Sequence, residues 1–287
     1  MGKLALPLDP QRRIRQPGPP GFERIQAIEG TCREVTFTLP AGAVFLDAIH
    51  AAVTAHGAES AVLEIEGGAF GPFAYVMPAL SVDGAQAAFY SETLRPPGAS
   101  KLLDGRVTFG LRDGAPFLHC HAFWTEPDGR HGGHILPTPE TVIAEPITAR
   151  AWLLDGIAFE QHPDPETGFT LFGPIARPAS GKGTRCIGLR LLPNQDLCAT
   201  LEDVCATNAI THGVLRGGVA SIIGADFTDG TMVENFATEM FIRSGTIAPE
   251  AILDVALVDY TGRLSEGVLR RGANPVLMTV EALLVAG

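Results

Sequence analysis

The sequence FLHCHAFWTEPDGRHGGHIL, residues Phe117–Leu136, decides the fold and contains four of the eight histidines of the chain. Its first part, Leu118–Trp124, mixes aromatic and aliphatic residues without a breaker, which predicts a buried strand. Pro127 and Gly129 stand where a tight turn needs them, and the apolar pattern resumes at Ile135. The stretch therefore predicts a β-hairpin with histidines on both arms.

His119 and His121 lie two residues apart on one arm, so their side chains point to the same face of the strand, about 7 Å apart at Cα. Imidazole nitrogens suit zinc, copper, nickel or iron, and three such ligands with an open position are typical of catalytic zinc. The third ligand depends on the register. A three-residue loop places His131 on this face, whereas a four-residue loop, or a bulge at Gly132–Gly133, places His134 there. The spacing alone leaves both open.

The combination of His119-Cys120-His121 with Gly132-Gly133-His134-Ile135-Leu136 resembles the plant and prokaryote conserved (PPC) domain family, also called DUF296. That family shows His-x-His on one strand and Gly-Gly-His-Leu at the start of the next, and the resemblance covers roughly residues 37–154. It implies that His134, rather than His131, completes the metal site, with zinc as the first candidate among divalent transition metals. It also implies a homotrimer, and a DNA-binding label that rests on the AT-hook of plant relatives.

The pattern of the first half begins again in the second half. A strand at Arg33–Leu39 and a helix at Val44–His56 are predicted from their hydrophobic periodicity. After a linker of Pro, Ala, Ser, Gly and Lys, a strand at Cys186–Leu192 and a helix at Asp196–Asn208 are predicted in the same way. The two halves therefore align as an internal repeat of about 150 residues.

In this alignment the three histidine positions carry other residues in the second copy: Leu253 for His119, Val255 for His121 and Gly267 for His134. The second repeat is thus predicted to bind no metal and to serve as scaffold or interface. We expect an extended arm at residues 1–21, a first PPC-like domain with the histidine site and an appended hairpin at 22–178, and a second, degenerate PPC-like domain at 179–287. The predicted class is α/β of the α+β type, each repeat being a mainly antiparallel, twisted sheet packed on a helix.

Composition narrows the classes of function. A net charge of −11 and the absence of an Arg-Gly-Arg-Pro AT-hook argue against DNA as a partner, because DNA affinity comes mainly from clustered Lys and Arg. Five cysteines without a Cys-x-x-Cys pair predict reduced thiols and a cytoplasmic protein. No run approaches the roughly 20 apolar residues of a membrane span.

Two functions fit these features. The first is a metal-dependent enzyme that acts on a small polar molecule at a three-histidine site with an open position. The second is a non-enzymatic regulatory trimer of the PPC type, which binds protein partners or, as the family label suggests, DNA. No Ser-His-Asp set or paired-carboxylate signature competes with the histidine cluster.

Overall fold

The computed structural model describes residues 12–287, so part of the predicted arm at residues 1–21 lies outside the described range. This range contains the helices α1 (Phe45–Ala55) and α2 (Leu197–Thr207). The strands before residue 180 are β1 (Ile25–Leu39), β2 (Ala61–Glu66), β3 (Ala69–Phe70), β4 (Tyr75–Val76), β5 (Pro78–Ala79), β6 (Phe89–Tyr90), β7 (Ser100–Arg112), β8 (Ala115–Glu126), β9 (Gly129–Ile135), β10 (Ile143–Glu145), β11 (Ile147–Asp155), β12 (Ile157–Pro163) and β13 (Thr170–Ala176). The strands after it are β14 (Thr184–Leu191), β15 (Gly213–Asp226), β16 (Met232–Ile247), β17 (Ala251–Asp259), β18 (Leu264–Val268) and β19 (Val276–Ala286).

Strands from both halves form one mainly antiparallel sheet. Its main path, in hydrogen-bonding order, is β9–β8–β7–β2–β11–β1–β14–β19–β15–β16–β17–β18. The long strand β1 joins the halves, because it pairs with β11 through residues 31–39 and with β14 through residues 25–32. This arrangement, a curled antiparallel sheet with two helices, confirms the predicted α+β class.

Each half follows the same strand order within this path. The strand before the helix pairs with the last strand of its half, which pairs with the strand after the helix, and three further strands follow in sequence. This gives β1–β11–β2–β7–β8–β9 in the first half and β14–β19–β15–β16–β17–β18 in the second.

Both predicted helices are confirmed to within a residue at each end, and each buries one face against the sheet of its own half. Helix α1 buries Phe45, Ile49 and Val53 in the first core. Helix α2 contributes Leu201, among others, to the second core. Asp196 caps the start of this helix, because its side chain accepts a hydrogen bond from the backbone N–H of Ala199 at 2.9 Å. Full burial stabilises each such apolar side chain by roughly 1.5–3 kcal/mol, so packing rather than propensity holds these short helices.

The sheet curls until its two ends meet. Phe123 on β8 packs edge to face against Phe241 on β16, with ring centroids 5.2 Å apart. The buried Arg106 on β7 donates hydrogen bonds to the carbonyl oxygens of Ile242 and Arg243 at 2.9 and 2.8 Å. These contacts place the β8–β9 hairpin against strand β16 of the second half.

The described part of the arm packs on the second half. Ile14 is buried, and its backbone N–H donates to Oδ1 of Asn194 at 2.9 Å. The buried side chain of Gln16 donates through Nε2 to the carbonyl of Leu277 at 2.6 Å. Ile14 and Gln16 therefore anchor the basic stretch Arg12–Arg15 to the second half.

Three further expectations have structural outcomes. The appended hairpin is confirmed, since β12 and β13 pair antiparallel along their full length. All five cysteines are free thiols and buried. Within residues 12–287, no helix is long and apolar enough to cross a bilayer.

Candidate metal centre

Strands β8 and β9 bring three of the predicted histidines together. His119 and His121 share one face of β8 and are buried, and His134 on β9 lies directly opposite His121. The antiparallel ladder runs without interruption to the pair Glu126–Gly129, so the Gly132–Gly133 bulge considered from the sequence is not needed. The register pairs Thr125 with Arg130, as the four-residue-loop alternative predicted, although the pairing of Glu126 with Gly129 shortens the turn to Pro127 and Asp128.

His131 lies on the opposite face of the sheet. It pairs with Trp124, and its Nε2 approaches Oδ1 of Asp128 at 2.8 Å at the exposed hairpin tip. Glu126, Asp128 and His131 form a second group with metal-ligand spacing, but two of its members are only partly buried and Asp128 is exposed. The register thus separates His131 from the buried histidines by the thickness of the sheet.

The three buried imidazoles lie close enough to bind one ion. Each offers a nitrogen within 4.8 Å of the other two. Nε2 of His119 and Nε2 of His121 are 3.0 Å apart. Because zinc–nitrogen bonds are about 2.0–2.1 Å long, two ligands of one ion lie roughly 3–4 Å apart, which is the spacing seen here.

The second half of the chain supplies the partners of the other ring nitrogens. Nδ1–H of His121 donates to the backbone carbonyl of Met240 at 2.9 Å, since a carbonyl oxygen can only accept. Nδ1 of His119 lies 3.0 Å from Oε2 of Glu281, a carboxylate oxygen that accepts its N–H. With a hydrogen on Nδ1, each ring is left with a bare nitrogen at Nε2, which is the ligating form.

Glu239 on β16 faces the same cluster. Its Oε1 is 3.7 Å from Nε2 of His121 and 3.7 Å from Nδ1 of His134. Glu239 is buried, and burial raises the pKa of its carboxyl group well above the usual 4.5. Its other oxygen, Oε2, and Nδ1 of His134 are both buried without a hydrogen-bond partner.

Burial and the neighbouring histidines lower the pKa values of His121 and His134. Burial, followed by the charge of His119, lowers the pKa of His121 well below its usual 6.5. Burial and the charges of the other two histidines lower the pKa of His134 in the same direction. Because imidazole must be unprotonated to ligate, both rings hold the ligating form at neutral pH.

The two glycines before His134 allow the close packing around it. A Cβ at Gly132 would lie 2.5 Å from the ring of Phe123, and a Cβ at Gly133 would lie 2.6 Å from the carbonyl oxygen of Val76. Val76 on β4 is the cross-strand partner of His134. The Gly-Gly pair therefore lets β9 pack closely between β4 and the ring of Phe123.

A cavity of about 50 Å³ opens beside His119 and His121. Since one water needs roughly 10–15 Å³ by this measure, the space admits a few non-hydrogen atoms. Its walls combine Tyr90 and Phe169 with residues of the second half, among them Met278. The Tyr90 ring stands edge-on to His134, with centroids 5.4 Å apart.

Sequence reasoning missed Glu239 and Glu281. The expectation that the second half is scaffold or interface overlooked these carboxyl groups, although the three aligned positions do carry Leu253, Val255 and Gly267. The available signal was an acidic residue flanked on both sides by mostly apolar residues: Glu239 follows FAT and precedes MFI, and Glu281 follows VLMTV and precedes ALLVA. Such carboxylates are rarely buried unless they are paired.

Comparison with known proteins gives structural neighbours, while no protein-family model and no curated protein matches the chain. A PPC protein from Pyrococcus horikoshii aligns with a TM-score of 0.41 and 20% identity, over 52% of this chain and 97% of its own. The structural neighbours include PPC-domain proteins. A metal-containing protein from Archaeoglobus fulgidus aligns with a TM-score of 0.40 and 18% identity, over 50% of this chain and 94% of its own. A Ralstonia eutropha protein with a provisional DNA-binding description aligns with a TM-score of 0.36 and 16% identity, over 50% and 96%.

Proposed function

We propose that this protein is a metal-dependent enzyme whose divalent metal, zinc in the first instance, is held by His119, His121 and His134. The observation that carries the proposal is the 3.0 Å separation of two Nε2 atoms whose rings are both engaged through Nδ1. Two bare nitrogens repel each other at that distance, and a shared cation removes the repulsion. The unpartnered Nδ1 of His134 supplies the third donor.

The site and its cavity define what the enzyme would act on. Three protein ligands leave a coordination position open, as in catalytic zinc sites. The metal would supply a Lewis acid that activates water or polarises a carbonyl. The chain's own residues admit a small molecule, whose polar group reaches the histidines and whose remainder lies against Tyr90 and Phe169.

Elemental analysis of protein purified without a histidine tag tests this proposal. We expect a stoichiometric transition metal, removable by a chelator and restored by zinc. Protein that contains no metal after purification, and takes up none when zinc is added, would sink the enzyme hypothesis, because the histidine cluster is its sole chemistry.

We also propose that the chain is a tandem of PPC-like domains at residues 22–178 and 179–287, preceded by an arm at 1–21, in a cytoplasmic homotrimer. The shared strand order of the two halves supports the tandem. The five free cysteines support a reducing compartment.

The native mass is expected to be three times the chain mass of 30.3 kDa. Closed rings of first and second repeats would satisfy the symmetry that is usual for homo-oligomers. Native mass spectrometry or light scattering measures this directly. A monomer would contradict the trimer, and so would a dimer, since its four repeats do not complete two three-membered rings.

The alternative function is a non-enzymatic regulatory trimer that binds protein or DNA. Its DNA-binding form can be tested separately. With a net charge of −11, the protein is expected not to bind duplex DNA tightly at physiological salt. A gel-shift assay near 150 mM salt is the measurement. Submicromolar binding with a steep salt dependence would favour the DNA-binding alternative, and Arg12–Arg15 would be the first segment to delete.

A further inference from the structure

We propose that the metal centre is assembled from both halves of the chain: Glu239 and Glu281 of the second half supply the negative charge that offsets a divalent ion held by the three histidines. This inference rests on the proposed metal site and adds two residues to it. It assigns them different positions, with Glu281 behind His119 and Glu239 beside His121 and His134.

The first argument is the burial of both carboxyl groups without a permanent cation. Glu281 is 0% exposed and Glu239 is 6% exposed. Among residues 12–287, their ion-pair contacts within 4.0 Å are all to histidine nitrogens and none to Lys or Arg. A buried carboxylate costs several kcal/mol unless it is paired or coordinates a metal, so in ionised form these two groups would need a cation, and no described Lys or Arg supplies it.

The other buried acidic residues of the described chain show the contrast. Glu166 pairs with Arg24 at 2.6 Å, and Asp164 pairs with Arg190. Asp259 accepts hydrogen bonds from Asn235 and Thr261 instead. The fold therefore provides a donor or a counter-ion for each of these acids. At the histidine cluster Glu281 has a single donor, Nδ1–H of His119, and Glu239 has none closer than 3.7 Å.

The second argument is the set of unpartnered atoms at this one place. Oε2 of Glu239, Oε1 of Glu281 and Nδ1 of His134 are each buried without a hydrogen-bond partner. Each such group is expensive and calls for an explanation such as an ion. A dication between three neutral imidazoles and two carboxylates gives the site a net charge of zero.

The geometry separates the roles of the two residues. Glu281 contacts Nδ1 of His119 at 3.0 Å and so acts through that ring, as a positioning residue that fixes its orientation and tautomer. Glu239 lies 3.7 Å from a nitrogen of His121 and 3.7 Å from a nitrogen of His134. The group of metal-ligand atoms that lie within 4.8 Å of one another nevertheless contains the three imidazoles and no carboxylate. Glu239 therefore faces the ligand cluster from the cavity side, which it also lines.

The test compares zinc affinity of the full-length protein and its Glu239→Gln and Glu281→Gln variants, by competition with a chelator of known affinity. Glutamine keeps the shape and removes the charge. Each variant is expected to bind zinc roughly 10- to 100-fold more weakly than the parent protein, as for other groups that orient metal ligands. Glu234→Gln is the matched control, because Glu234 lies on the same strand as Glu239 but is exposed, and it should leave the affinity unchanged.

Thermal unfolding gives an independent readout. Without metal, the glutamine variants are expected to be at least as stable as the parent, since they remove a buried carboxyl group that lacks a cation. The rise in Tm on adding zinc should be smaller in the variants than in the parent. Zinc affinities within about threefold of the parent, or variants less stable than the parent without metal, would overturn the inference while leaving the three-histidine site intact. A parent protein that binds no zinc would instead overturn both.

Discussion

Replacing either His121 or His134 by alanine is expected to abolish stoichiometric metal binding, whereas His131→Ala should leave the metal content nearly unchanged. His121 and His134 are cross-strand partners that face the buried cluster, while His131 lies on the other face of the same hairpin. Removing one of three ligands leaves two, which do not hold the ion in competition with a chelator. The measurement is metal content per chain for each variant after identical purification.

The His131→Ala variant is the matched control, because it removes an imidazole three residues away on the same strand. Circular dichroism should show all three variants folded. Loss of metal in His131→Ala with retention in His134→Ala would refute the assignment of ligands. Unchanged metal in every variant would mean that the cluster is an ordinary histidine-bearing face of the sheet.

Trp124→Ala is expected to lower the free energy of unfolding by about 3–5 kcal/mol, the usual cost of truncating a large buried aromatic residue. The Trp124 ring is fully buried and lies edge-on to Phe73 and Tyr75, with centroids 5.3 and 4.6 Å away. Its Nε1–H donates to Oε1 of Glu126 at 2.8 Å, a bond that the substitution also removes. Urea denaturation monitored by circular dichroism measures the change.

Phe22→Ala is the control for this experiment, since Phe22 is also aromatic but is 102% exposed. Its effect on the free energy of unfolding should stay within about 0.5 kcal/mol. A cost below about 1 kcal/mol for Trp124→Ala would show that the ring does not hold the hairpin against the first core.

The local elements were predictable because local patterns specify them. Helices α1 and α2 follow from hydrophobic residues at helical spacing, which need no knowledge of distant contacts. The β8–β9 hairpin follows from the apolar run that ends at Trp124 and from the turn residues after it. The shared face of His119 and His121 follows from the two-residue period of a strand.

The register of the hairpin was beyond the local pattern. His131 and His134 differ by three positions, so a shift of one residue exchanges the face on which each lies. The structure places His134, and not His131, on the face of His119 and His121, because the register that pairs Trp124 with His131 also buries the Trp124 ring in the first core. The decision is thus made by the packing of a large apolar side chain, and the histidines follow it.

By itself, the sequence determined the α+β class, the two helices, the hairpin and the shared face of His119 and His121, and it left His131 and His134 as alternatives for the third histidine. The tertiary structure alone decided which carboxyl groups meet those side chains. Glu281 is 162 positions from His119 along the chain, and it arrives there because the sheet curls until its ends touch. Closure of that kind depends on the summed twist and packing of many strands, so no short stretch of sequence contains it.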